Sequence, residues 1–103
     1  MITVVVQFDL PERITREKAQ QLFLDSAPKY QKVNGLVRKY YTLAEDGMSA
    51  GGVYLFKSKK DADDLYTEEW KKYILRKYGG KPSFSYFECP VVVDNLTGMI
   101  LKE

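Results

Sequence analysis

The 103 residues suit one domain built on one core, and 45% hydrophobic with 29% charged residues place the chain among folded globular proteins rather than disordered ones. Sixteen basic against fourteen acidic residues leave a net charge of +2, too little for the phosphate attraction from which nucleic-acid binding starts. Histidine is absent, which removes Ser-His and Cys-His catalysis, histidine-bound zinc and histidine-ligated haem; any chemistry falls to carboxylates, lysine, arginine, tyrosine or the substrate itself.

The chain opens on the apolar run Ile2 to Val6 with no basic leader, and no apolar stretch approaches the roughly 20 residues that span a bilayer, so neither export nor membrane insertion is expected. Residues 2–9 alternate, Ile2, Val4, Val6 and Phe8 against Thr3, Val5, Gln7 and Asp9, as in a strand with one face on a core. After Pro11, Thr15 offers an N-cap to a helix carrying Ala19, Leu22, Phe23, Ser26, Ala27 and Tyr30; Pro28 inside it predicts a kink or restart, and Asn34-Gly35 a left-handed stop. Residues 36–43 and 52–56 read as an antiparallel hairpin around a tight Asp46-Gly47 turn.

Ser58 and Asp61 form an approximate capping box for a second helix that runs toward Gly79-Gly80 with Ala62, Leu65, Tyr66, Trp70, Tyr73 and Ile74 on one side and a break near Thr67. Its acids, Asp61, Asp63 and Asp64, and its bases, Lys71, Lys72, Arg76 and Lys77, are ordered to complement the helix dipole. Ser83 to Val93 reads as a last strand, and Leu96 to Leu101 as a short apolar tail. Cys89, the only cysteine, reads as a small core residue, consistent with a reducing cytoplasm.

The order βαββαβ predicts a single α+β domain over residues 1–103 of ferredoxin-like topology: a four-stranded antiparallel sheet with two helices on one face. Val5 and the pairs Tyr40/Tyr41, Tyr54/Leu55 and Tyr86/Phe87 are apolar or aromatic whichever way each strand is turned, so the other face also needs a cover. A second copy across a two-fold axis, closing a dimeric α+β barrel, is the economical one.

With the tight turn, Tyr41 falls opposite Gly52, Lys39 opposite Tyr54 and Val37 opposite Phe56, so one face gathers a lysine, two phenols and the space left by a glycine. That mixture suits a pocket for a flat, partly polar organic molecule, its rings providing apolar contact and its ammonium stabilising an enolate or phenolate. Lysine on an edge strand also serves simply to discourage strand pairing. Tyr66 and Trp70, four apart, would wall the same pocket or pack in the core. Gln7 is a candidate for orienting a ligand, with Glu88 and Asp9 the carboxylates nearest the sheet. No dinucleotide, Walker or clustered Cys/His/carboxylate motif appears, so no cofactor or metal is expected.

The run Gly35-Leu-Val-Arg-Lys39-Tyr-Tyr, a short acidic turn, Gly51-Gly-Val-Tyr-Leu-Phe56 and an acidic helix resembles the YdhR-type mono-oxygenases, among the dimeric α+β barrels and beside the antibiotic-biosynthesis mono-oxygenases. Gly35, Lys39, Gly51, Gly52, Tyr54, Leu55 and Phe56 carry the likeness. Arg38 stands where tryptophan is common, and the missing histidine sets the chain apart from haem-degrading relatives. The resemblance implies a homodimer with a cavity between sheet and helices, and oxygenation without a cofactor: an electron-rich phenol or hydroquinone, once deprotonated, passes an electron to O₂ directly. Lys39 would then stabilise the substrate anion, Tyr41 and Tyr54 orient it, and Phe56, Tyr66 and Trp70 wall it. One alternative is a dimeric barrel that binds a small hydrophobic ligand without turnover. Another, an RNA-recognition module, fails because Ser49, Gly51 and Val53 stand where a leading base and two stacking aromatics belong.

Overall fold

The computed structural model describes all 103 residues. Strand β1 (Ile2–Asp9) is followed by helix α1 (Arg16–Tyr30), strands β2 (Leu36–Leu43) and β3 (Ser49–Phe56), helices α2 (Lys59–Leu65) and α3 (Glu68–Tyr78), and strand β4 (Ser83–Glu88). A terminal hairpin of β5 (Val91–Asp94) and β6 (Met99–Lys102) completes the chain. The main sheet has the order β2-β3-β1-β4 with every neighbouring pair antiparallel, which is the predicted ferredoxin-like arrangement. No helix is long and apolar enough to cross a membrane.

The caps sit where hydroxyls and glycines allow them. Thr15 accepts the Lys18 amide at 3.1 Å, Ser58 accepts that of Asp61 at 3.2 Å, and Gly79, at φ +83°, turns left-handed to end α3. Helix α1 does not restart at Pro28. The proline falls in the last turn, where only the bond to the Leu24 carbonyl is lost and little helix remains to be displaced, and the chain loosens into successive i to i+3 bonds from Gln31, Lys32 and Val33. The second helical segment is two helices, because Tyr66 leaves helical geometry and Thr67 caps α3 by accepting the Trp70 amide. That split corrects the dipole reading for α2: Asp63 and Asp64 fall in its last turn and pair instead with Lys59 and Lys60 one turn earlier. In α3, acids first and bases last still hold.

The β2–β3 loop spans the five residues 44–48 rather than a two-residue turn, with the Ala44 amide donating to Ser49 O. The predicted register survives nonetheless: Tyr41 faces Gly52 and Lys39 faces Tyr54. It fails at Val37, which a bulge between Leu36 and Arg38 turns out to solvent, so that Leu36 takes the place opposite Phe56. Strand β4 ends at Glu88 instead of running to Val93, since Pro90 has no amide for the ladder. The expected tail is the β5–β6 hairpin, tied to the sheet by the Arg38–Asp94 pair at 3.1 Å and by the N-terminal amine with Glu103.

The two faces of the sheet differ sharply. Toward the helices point Val4, Val6 and Phe8 of β1, Lys39 and Tyr41 of β2, Gly52, Tyr54 and Phe56 of β3, and Phe84 and Tyr86 of β4, packed against Tyr30, Ala62, Tyr66, Trp70, Ile74 and Tyr78. Val4 and Phe56 are wholly excluded from solvent. The opposite face carries Val5, Val53 and Leu55 half-buried, with Tyr40 and Phe87 more than half exposed.

Candidate active site

The site grows from one substitution in the usual strand pattern: at position 39 an amine occupies an inward-facing place. Across the strand Gly52 has no side chain, and a Cβ there would stand 2.9 Å from the Tyr54 ring and 3.4 Å from Lys39 Cε. The missing methyl is the room into which the lysine stem folds. Its Nζ then lies 3.4 Å from the centroid of the Tyr30 ring, 3.6 Å from that of Tyr41 and 4.7 Å from that of Tyr54. Strand parity supplies two of these rings and the last turn of α1 the third.

Hydrogen bonds and ring contacts fix the box. The Trp70 indole N–H donates to Tyr30 Oη at 3.0 Å, and Ser26 Oγ and Tyr41 Oη share a bond of 2.8 Å. Phe23 stacks on Tyr41 with centroids 4.8 Å apart, and Tyr66 meets Tyr54 edge-on at 5.4 Å. The Tyr66 hydroxyl is buried with no hydrogen-bond partner.

None of the seven ion pairs of the chain involves Lys39. Burial, with the like charges of Lys29 and Lys77 added, pushes its ammonium down to about 6, while the electron-rich ring faces pull the other way. At neutral pH the folded chain therefore holds mostly a free amine. The phenols move oppositely: burial raises Tyr30 to about 12, carries Tyr54 and Tyr66 further up, and raises Tyr41. They stay protonated as hydrogen-bond donors, and Lys39 is the base among them.

The space beside Lys39 is about 10 Å³, room for one water-sized molecule, between Tyr41, Tyr54, Trp70 and Tyr73. A far larger cleft, about 870 Å³, lies between the first half of α1 and the β2–β3 loop. Arg13, Arg16 and Glu45 stand at its polar parts, and Phe23, Leu24, Ala27 and Leu43 make its apolar wall. Phe23 and Tyr41 belong to both spaces and separate them.

Of the residues singled out from the sequence, Lys39, Tyr41, Tyr54 and Trp70 come together around one point. Tyr66 stands one ring back, behind Tyr54 and Trp70. Phe56 stacks beneath Tyr54, fully buried and away from the open space. Gln7 does not join them: parity puts it on the opposite face, exposed, beside Gly51 and Ser83. Nor is Lys39 an edge guard, since it points under the helices. Tyr30, Ser26 and Phe23 were legible only as the apolar stripe of a helix, and their place in the site depends on how α1 lies over β2.

The architecture defines an α+β protein of the class shared by antibiotic-biosynthesis mono-oxygenases. A monooxygenase from the gene ActVA-Orf6 of Streptomyces coelicolor, in complex with Nanaomycin D, superposes with a TM-score of 0.66 at 17% identity, over 85% of this chain and 86% of that one. SnoaB, a cofactor-independent oxygenase from Streptomyces nogalater, does so with a TM-score of 0.63 at 15% identity, over 85% and 91%. No match among curated proteins reaches significance. The family described as "Putative mono-oxygenase ydhR" matches residues 4–81, and the chain belongs to that family.

Proposed function

We propose that the chain is a cofactor-independent mono-oxygenase for a small aromatic carbon acid or quinol-like molecule. The observation that carries this is the buried amine of Lys39, unpaired with any carboxylate and enclosed by tyrosine rings. The substrate ring lies in the cleft beside α1, against Phe23 and Leu43. Rotation of Tyr41 joins that cleft to the space at Lys39. The free amine takes a proton from the substrate, and the ammonium so formed stays beside the new anion, a charge pair that exists only once reaction has begun. Tyr41 and Tyr54, both protonated, orient the anion by donating hydrogen bonds.

The anion passes one electron to O₂, giving a substrate radical and superoxide. Their combination forms a C–O bond and a peroxide, and loss of water leaves a carbonyl. For a methylene substrate the balance is one CH₂ and one O₂ to one C=O and one H₂O. Oxygen uptake with anthrone or a hydroquinone tests the reading. Lys39→Ala is expected to slow uptake by about 10²- to 10⁴-fold, and an unchanged rate would remove the lysine from the mechanism.

The binding-only reading draws on a different observation, the 10 Å³ left beside Lys39, too little for an aromatic ring without movement. A ligand retained without oxygen uptake would favour it. In either case we propose that two copies pair through the helix-free face of the sheet, where Tyr40 and Phe87 lie open and Val5, Val53 and Leu55 are half covered. Sedimentation as a monomer at micromolar concentration would contradict that pairing.

A further inference from the structure

The oxygenase reading uses Lys39 as a base. A primary amine so placed has a second capability that does not depend on that reading. We propose that Lys39 is a covalent capture site for short aldehydes, which it binds as an imine.

Four features of the geometry meet here. The amine has no carboxylate to hold it as an ammonium ion, and its neighbours of like charge, Lys29 from α1 and Lys77 from α3, oppose protonation. The other charged group packed near this seam, Asp25, is spent on Lys77 at 3.3 Å. The rings of Tyr30, Tyr41 and Tyr54 keep the nitrogen in a fixed place without hydrogen-bonding its lone pair to an acid. The adjoining space, about 10 Å³, is the size of one water molecule and so favours the shortest aldehyde over any larger one while Tyr41 stays bonded to Ser26.

The step balances within the two reactants. The nitrogen lone pair attacks the carbonyl carbon, a C–N bond forms and the carbonyl electron pair moves to oxygen. The C–O bond then breaks, and both amine protons leave with the oxygen as water. The product is an N=C bond at Nζ, with no oxidant or reductant required. An ammonium ion lacks the lone pair that the first step needs.

The experiment is reductive trapping on the full chain with formaldehyde and sodium cyanoborohydride, the latter supplying the hydride that fixes the imine as an amine, followed by peptide mass mapping at several pH values from 5.5 to 8. Lys39 is expected to be modified roughly tenfold or more faster than the other eleven lysines at neutral pH. Its rate should reach half its maximum near pH 6. Benzaldehyde should trap Lys39 only slowly in the parent chain and faster in Ser26→Ala, where the Tyr41 hydroxyl loses its partner. Lys39→Arg should abolish the fast phase. Labelling spread over the surface lysines with Lys39 unmodified would overturn the proposal. Oxygen uptake is a separate readout: a chain that forms the adduct but consumes no oxygen keeps this inference and loses the oxygenase reading.

Discussion

Adjacent residues of the same strands have opposite fates on the two faces of the sheet. Tyr41 is pinned between Ser26, Phe23 and the Lys39 amine, whereas Tyr40, its neighbour in sequence, is more than half exposed. Val4 is wholly buried and Val5 only partly; Tyr86 reaches Asp63 of α2, and Phe87 meets solvent. Both faces are apolar, so hydrophobicity alone does not distinguish them. What does is the layer of helices: it desolvates one face enough to change the ionisation of a lysine and leaves the other as a surface.

Substitutions can break that comparison, and the largest effect should come from the helix-covered face. Tyr54→Ala removes the ring at the centre of the aromatic box and is expected to cost about 3–5 kcal/mol by urea denaturation. A loss below ~1 kcal/mol would mean that the box is not packed as described.

The pH dependence of stability comes next. Lys39 is lowered to about 6 in the fold against an ordinary value near 10.5, so between those limits the unfolded chain binds the extra proton and stability rises with pH, by up to ~1.4 kcal/mol per unit. The gain is absent below the folded value, where both states are charged, and complete above the unfolded one, where both are neutral. Lys39→Met should flatten this slope between pH 6.5 and 8.5, and equal slopes in the two proteins would refute a neutral amine.

A smaller effect is expected at Gly52. Its Cβ would press on the Tyr54 ring and on the Lys39 stem, so Gly52→Ala should destabilise by about 1–3 kcal/mol while raising the half-point of the Lys39 titration as the side chain is displaced toward water. At the other extreme, Tyr40→Ser with Phe87→Ser should leave the unfolding of one subunit within about 0.5 kcal/mol yet shift sedimentation toward the monomer. A monomer weakened as much as by Tyr54→Ala would show that the helix-free face is core.

Much of this was legible in the sequence, for identifiable reasons. Alternation in β1 and the Asp46-Gly47 turn sufficed to pair Lys39 with Tyr54 and Tyr41 with Gly52, because strand register follows once one loop is placed. The bulge at Val37 is not legible, since nothing local marks it, whereas Pro90, which has no amide to give a ladder, does mark the end of β4. The same parity that built the box excludes Gln7 from it. Tyr30 and Ser26 escaped because a helix stripe tells which residues face inward but not which strand they meet. The lowered Lys39 is a property of that meeting, and no spacing rule contains it.

Lys39 itself offers the most direct test. In a sample carrying ¹³C at the lysine ε-carbon, its signal, assigned by its loss in Lys39→Arg, should titrate with a midpoint near pH 6, far below the ordinary lysine range. A midpoint at the ordinary lysine value, near ~10.4, would contradict the buried free amine, and with it both the base of the proposed oxygenase and the site of aldehyde capture.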